Sequence, residues 1–165
     1  MRDGERLGHY SNGAISGAGW SRVQELKRAH VSSQYAFFAR QFANTDLDRV
    51  YVECLKPAVE QTGYELRTVT RKAGHIDAMI EDEIRRCRFL VADLSDQNAG
   101  GLFEAGFAEG LGKPVIYICQ DDVPTHFDTN HRHTVRWNVL KLAETEKLLK
   151  AVIRNTLLGD ARQDD

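Results

Sequence analysis

Short apolar runs alternate with stretches of helical periodicity along most of this 165-residue chain. The apolar runs are nearly continuous, which is typical of strands whose two faces are both covered by helices. Strands that are joined through helices run parallel to one another. The alternation therefore predicts an α/β fold of the flavodoxin-like (Rossmann-like), doubly wound type, with about five parallel strands and helices on both faces of the sheet. The predicted strands cover residues 35–42, 64–69, 88–95, 114–120 and 134–139.

The predicted helices carry their apolar residues at helical intervals. The segment 46–63 follows a cluster at 44–46 that can cap a helix, and Gly63 supplies its end. Pro57 lies inside this segment, so we expect either a kink or a second short helix that begins there. Further helices are predicted over 75–87, after residue 98 and over 142–157.

Outside the alternating region the chain is less regular. Residues 1–33 begin with a stretch rich in glycine, serine and asparagine, a composition that predicts an arm on the surface. A short helix is predicted within this arm, over residues 19–29. Residues 34–159 form the predicted α/β domain, and residues 160–165 form a C-terminal tail. A domain of this size buries a sufficient core without disulfides or metals.

The charge balance argues against a nucleic-acid polymer as partner. The chain has 22 basic and 24 acidic residues, a formal net charge of −2 and a pI near 6.3, whereas nucleic-acid-binding domains carry a concentrated basic excess. No apolar run reaches the roughly 20 residues that span a bilayer, and the first residues lack the apolar stretch of a signal peptide. Cys54, Cys87 and Cys119 fall in apolar segments without CxxC spacing, which predicts reduced core residues. We therefore expect a cytoplasmic protein with no membrane partner.

The stretch DLSDQNAGGLFE, residues 93–104, lies where the third predicted strand passes into a helix. Doubly wound sheets bind ligands outside the carboxyl ends of their strands, so a site is expected here. Gly100 and Gly101 leave backbone amides open to a ligand, and Glu104 is expected in the first helical turn, where the helix dipole favours an ionised carboxylate. Such a carboxylate suits a nucleophile at a sugar carbon. The alternative is that Glu104 only favours helix formation and that the glycines permit close packing on the sheet.

The segment GGLFEAGFAEGLGKPV resembles the signature of the nucleoside 2-deoxyribosyltransferase superfamily. That signature has a glycine, an aromatic residue, the catalytic glutamate, a Gly-aromatic pair and a later Lys-Pro that opens the next strand. VADLS supplies an acid, Asp93, at the end of the preceding strand. The chain further resembles a bacterial subgroup of the superfamily through GWSRV, FFA, EIRRCRFLVAD and HFDT, so the resemblance covers nearly the whole chain. The matched signature residues are Gly101, Phe103, Glu104, Gly106, Phe107, Lys113 and Pro114.

The resemblance implies chemistry at the anomeric carbon of a nucleoside or nucleotide. Glu104 would attack C1′, the base would depart, and water or a second base would resolve the glycosyl-enzyme. Asp93 would hold the sugar hydroxyls or assist proton transfer to the departing base. Its alternative role is to cap the loop after the strand. Members of the superfamily complete their sites from a neighbouring subunit, so the resemblance also implies a homodimer or a larger homo-oligomer.

Two positions depart from the transferase pattern. Ile80 stands where the transferases carry an aspartate that faces the base, and Asp77 and Asp82 lie nearby on other faces of the helix, so base protonation lacks its usual residue. Asn98, six residues before Glu104, stands where nucleoside-using members carry an acid. Its amide can donate to a phosphate without charge repulsion, which favours a nucleotide over a free nucleoside as the ligand.

Further ligand contacts are expected from loops at the same edge of the sheet. Arg71, with Lys72, can supply countercharge to a phosphate, and a solvated surface position is the alternative. Asp128 is expected at the edge of the ligand crevice or at a subunit contact. The three histidines of THFDTNHRH match no standard zinc spacing, so no metal site is expected. The remaining candidate ligand-binding residues are Ala39, Gln41 and Phe42 at the end of the first strand, together with Asn98, Gly100 and Gly101.

Three functions remain open at this point. The first is an N-glycosidase or deoxyribosyltransferase-like enzyme that cleaves a nucleotide, with NAD among the candidate substrates and no cofactor. The second is a non-catalytic nucleotide sensor, which the loss of the base-side acid favours. The third is a TIR-like interaction module, because that fold shares the parallel sheet and a helix-borne acid. Such a module would associate through surface helices, and its assembly would tolerate Glu104→Gln.

Overall fold

The computed structural model of the protein describes residues 33–41, 43–69, 76–95, 98–124 and 133–164, together with Gly19. The strands in this part of the chain form one sheet in which every neighbouring pair is parallel. They are β1 (Tyr35–Ala39), β2 (Glu65–Arg67), β3 (Phe89–Asp93), β4 (Val115–Gln120) and β5 (Thr134–Trp137). Their order, β2-β1-β3-β4-β5, is that of flavodoxin-like doubly wound sheets, so the predicted fold class is confirmed.

The α-helices of the described residues are α1 (Thr45–Val50), α2 (Lys56–Gln61), α3 (Ile76–Arg86), α4 (Ala99–Gly110) and α5 (Leu142–Thr156). The predicted cap of α1 is confirmed, because Asn44 Oδ1 accepts from the Leu47 amide at 2.9 Å. A π-helical segment, Tyr51–Leu55, runs from α1 into α2 without a break in the helical path. Pro57 lies in the first turn of α2, just after this wider turn, where its missing N–H is tolerated.

Residues of β1, β3 and β4 alternate between two cores, one on each face of the sheet. The first core contains Phe38, Phe89 and Trp137 and is covered by α1, α2 and α5. The second contains Phe37 and Leu90 and is covered by α3 and α4. Strand β3 is buried along its whole length, which explains its nearly continuous apolar sequence. The three cysteines are buried and form no disulfide, as predicted.

The segment after α5 packs back onto the domain. Asp160 pairs with Arg88, and the Arg162 amide donates to the Thr62 carbonyl at 2.9 Å. Part of the predicted tail is therefore held by the domain. The predicted arm and its short helix lie outside the described residues, apart from Gly19 and residue 33. No helix in the described segments is long and apolar enough to cross a membrane.

The sheet order places a crevice between β1 and β3. The chain leaves β1 toward β2 on one side and later returns to place β3 on the other side of β1. Ala39 of β1 lies beside Ala92 of β3 in the register, so the two strands end at the same edge. Doubly wound proteins bind ligands beyond such an edge, where the strand order reverses. The residues that follow β1 and β3 therefore lie where a ligand is expected.

Candidate functional site

Glu104 lies in the second turn of α4. The helix begins at Ala99 with Asn98 as its N-cap, and its first turn contains no acidic residue. The prediction that Glu104 occupies the first turn was therefore wrong, because the glycine pair belongs to the helix and not to the loop before it. The effect of the helix dipole falls off beyond the first turn, so it favours an ionised Glu104 less than expected.

The Glu104 side chain is half-buried and borders a shallow depression at the carboxyl edge of β1. The space among the lining residues measures about 10 Å³, which is at the lower limit for a single water molecule. The Thr68 hydroxyl donates to the Phe38 carbonyl at 3.0 Å and so ties the segment after β2 to β1. These residues form a shallow depression and not an enclosed pocket. The depression is lined by Phe37, Phe38, Arg40, Thr68, Val69, Ile80 and Glu104.

Ile80 lines this depression together with Glu104. It projects from α3 and packs against the second core. Asp82, the acid two residues further along, instead pairs with Arg86 of the same helix at 3.1 Å. Of the α3 side chains that the structure describes, those of residues 78–86, Ile80 borders the depression and no carboxylate does.

Arg40 follows β1 directly and also borders the depression. Its side chain is only 8% exposed, and its guanidinium pairs with Asp48 of α1. The guanidinium carbon lies 5.8 Å from the centre of the Phe38 ring and 5.7 Å from the centre of the Tyr51 ring. The two rings stack on each other with their centres 5.6 Å apart and stabilise the cation through their faces. A nearly buried positive charge and Glu104 thus border the same depression.

Asn98 joins the end of β3 to the start of α4. Its Oδ1 accepts from the Gly101 amide at 3.0 Å, and its Nδ2 donates to the Asp93 carbonyl at 3.1 Å. These two hydrogen bonds occupy the side-chain amide group of Asn98, which the sequence analysis predicts as a phosphate ligand. A Cβ on Gly101 would lie 2.6 Å from Asn98 Nδ2 and 2.9 Å from the Asp93 carbonyl oxygen. Close packing of α4 on the sheet therefore explains this glycine.

We expect Gly101→Ala to lower the free energy of unfolding by about 1–3 kcal/mol, because the added methyl group displaces the cap or the end of β3. Gly106→Ala is the matched control on the same helix, since a Cβ there would meet nothing within 4 Å. The higher helix propensity of alanine should raise the free energy of unfolding of that variant by about 0.5–1 kcal/mol. Urea denaturation measures both changes. Changes of the same sign in both variants would contradict the packing role of Gly101.

The Asp93 side chain is fully buried and does not border the depression. Its Oδ1 accepts from Ser95 Oγ at 2.8 Å and from the Trp137 indole nitrogen at 3.0 Å. Ser95 Oγ in turn accepts from the Gln120 amide at 2.9 Å. These bonds link the ends of β3, β4 and β5 on the sheet face that α5 covers, whereas α4 covers the other face. The contact of Asp93 with a sugar or base stays a prediction.

The other predicted ligand residues occupy different surroundings. Ala39 is buried, and its side chain packs in the second core. Gln41 is exposed, and its carbonyl accepts from Arg40 Nε at 3.4 Å. Gly100 is exposed in the first turn of α4. The predicted residues that lie outside the described ones are Phe42, Arg71 and Asp128.

The depression includes Arg40, Thr68 and Val69, which were not predicted as site residues from the sequence. The signal that could have found them is position, because residues directly after β1 and β2 lie at the carboxyl edge of the sheet. No sequence signal shows that the Trp137 indole reaches across β4 to Asp93. Within the described ranges, no group of three or more His, Cys, Asp or Glu side chains is placed to hold a metal ion.

The fold and the site together define an α/β protein of the flavodoxin-like type, with a half-buried glutamate and a nearly buried arginine at the carboxyl edge of its sheet. Comparison of the sequence with protein-family models found no match, and comparison with curated proteins found none either. The likeness to nucleoside 2-deoxyribosyltransferases therefore rests on the residues of the chain itself.

Proposed function

We propose that this protein cleaves the N-glycosidic bond of a nucleotide, with Glu104 as the nucleophile. The observation that carries the proposal is the position of Glu104, which is half-buried at the carboxyl edge of the sheet beside Arg40 and Ile80. A carboxylate at this edge is within reach of a ligand bound across the ends of β1 and β3. The resemblance of GGLFEAGFAEGLGKPV to the transferase signature supports the same role.

In this reaction a carboxylate oxygen of Glu104 forms a bond to C1′ of the sugar. The bond from C1′ to the base nitrogen breaks, and the base leaves with the electron pair. Water then attacks C1′, which releases the sugar phosphate, restores the carboxylate and frees a proton. A second base in place of water would yield a new nucleotide, so hydrolysis and transfer share their first step.

The apolar character of Ile80 limits which base can leave. A purine or pyrimidine leaves more readily when an acid protonates it, and none of the carboxylates among the described α3 side chains, residues 78–86, borders the depression to do so. Nicotinamide is joined to ribose through a quaternary nitrogen, so it departs as a neutral molecule when it takes the bonding electrons. An apolar residue beside the leaving group therefore favours NAD or nicotinamide mononucleotide as the substrate.

A chromatographic screen for released base tests this proposal. The purified protein is incubated with nicotinamide mononucleotide, NAD, adenosine and deoxyadenosine monophosphates, and the free nucleosides. We expect nicotinamide release to exceed adenine release by roughly 100-fold, which is the order of a missing general-acid contribution. Equal release of adenine would contradict the argument from Ile80. Release from none of these compounds would contradict the enzymatic proposal.

A second candidate is a nucleotide sensor, which is favoured because Ile80 is the one residue that borders the depression among the described α3 side chains, residues 78–86. A sensor predicts saturable binding of nucleotide without base release, and isothermal titration calorimetry measures the binding. The predicted cytoplasmic location and the predicted homodimer or larger assembly belong to the same proposal. Size-exclusion chromatography with light scattering tests the assembly.

A further inference from the structure

The bond cleavage proposed above assigns no role to the nearly buried arginine beside Glu104. We propose that Arg40 is the anion-recognising residue of this site and that it binds the phosphate of a nucleoside monophosphate. This inference rests on the proposed function for the nucleoside part of the ligand, but it concerns binding and not bond cleavage. The ribose of one nucleotide separates its phosphate from C1′, so a single ligand can contact both Arg40 and Glu104.

The burial of Arg40 distinguishes it from an ordinary surface arginine. Its side chain is 8% exposed, whereas that of Arg49, on the helix that follows, is 54% exposed. Removing a charge from water is unfavourable unless the charge has partners. Arg40 has such partners in Asp48 and in the stacked rings of Phe38 and Tyr51. The guanidinium is therefore held in one place at the edge where ligands bind.

The guanidinium retains hydrogen-bonding capacity. Its Nη2 donates to Asp48, and its Nε donates to the Gln41 carbonyl at 3.4 Å, which is a long contact. Its Nη1 donates to no described residue and is not one of the fully buried polar atoms, so solvent reaches it. Arginine presents five N–H groups in a planar fork that matches the oxygens of a phosphate.

Asp48 occupies the guanidinium in the free protein and competes with the ligand for it. Its side chain is 58% exposed, so it can turn into solvent when a phosphate takes its place. A phosphate monoester carries more negative charge near neutral pH than a carboxylate does, which favours the exchange. Removal of the Asp48 charge should therefore strengthen phosphate binding.

The experiment measures binding in the Glu104→Gln background, which prevents turnover. Nicotinamide mononucleotide and nicotinamide riboside differ by the phosphate alone, and each is titrated by calorimetry. We expect the mononucleotide to bind about 10- to 100-fold more tightly than the riboside, and Arg40→Gln to abolish the difference. Asp48→Asn should increase it. Arg49→Gln, which removes an exposed arginine paired with Glu53, is the control and should leave it unchanged.

Inorganic phosphate provides a second probe that does not depend on the nucleoside. Inorganic phosphate should raise the thermal unfolding temperature of the Glu104→Gln protein, which is the parent here, and of its Asp48→Asn variant. It should not raise the unfolding temperature of the Arg40→Gln variant. If phosphate binds through Arg40 and no base is released, this inference is supported and the enzymatic proposal is contradicted. The inference is overturned if the parent protein shows no preference for the mononucleotide, or if Arg40→Gln, folded by circular dichroism, keeps that preference.

Discussion

Replacement of Glu104 by glutamine is expected to reduce base release by roughly 1000-fold or more. Glutamine keeps the shape of the side chain, but its amide is a poor nucleophile and cannot form the glycosyl ester. Loss of the nucleophile in other enzymes lowers turnover by several orders of magnitude. The fold should persist, because Glu104 is only half-buried and the replacement has nearly the same volume.

Glu109→Gln is the matched control for this substitution. Glu109 lies on the same helix, does not border the depression, and accepts from the Tyr117 hydroxyl at 3.3 Å, a bond that a glutamine oxygen preserves. Its base release should equal that of the wild type. Intact-protein mass spectrometry during turnover should show the sugar phosphate attached to wild-type protein and not to Glu104→Gln. Full activity of Glu104→Gln would show that another group attacks C1′.

Asp93→Ala is expected to lower the free energy of unfolding by about 2–5 kcal/mol. The substitution removes the acceptor of the Trp137 indole N–H and of the Ser95 hydroxyl in a fully buried position. A buried donor that loses its acceptor costs about 1–3 kcal/mol. Urea denaturation should therefore show a much lower midpoint for this variant. A midpoint close to that of the wild type would contradict the structural role of Asp93.

Trp137→Phe and Asp93→Asn dissect this role. Trp137→Phe removes the donor and keeps an aromatic ring, so combining it with Asp93→Ala should cost less than the sum of the two single changes. Asp93→Asn keeps an oxygen that can accept from Trp137, so its stability should lie closer to that of the wild type. We expect its base release to follow the fraction of folded protein. A folded but inactive Asp93→Asn would instead assign Asp93 to the chemistry, as the family resemblance implies.

The sequence patterns located the strands and helices well because those patterns are local. The alternation of apolar runs with helical segments predicted the parallel sheet, and the cluster at 44–46 predicted the cap that Asn44 makes. Glu104 was misplaced by one turn because two adjacent glycines have low helix propensity and suggest a loop. The Asn98 cap and the packing of Gly101 on β3 outweigh that propensity, so the helix starts earlier.

The sequence by itself determined the fold class and the edge of the sheet at which a site is expected, and it made Glu104 the candidate acid there. Each of these follows from periodicity or from residues that are close together along the chain. Only the tertiary structure decided that Arg40, Ile80 and Glu104 border one depression and that the Asp93 carboxyl group lies on the other face of the sheet. The strand order decides which of these residues are neighbours. That order depends on contacts between segments that are distant in the chain.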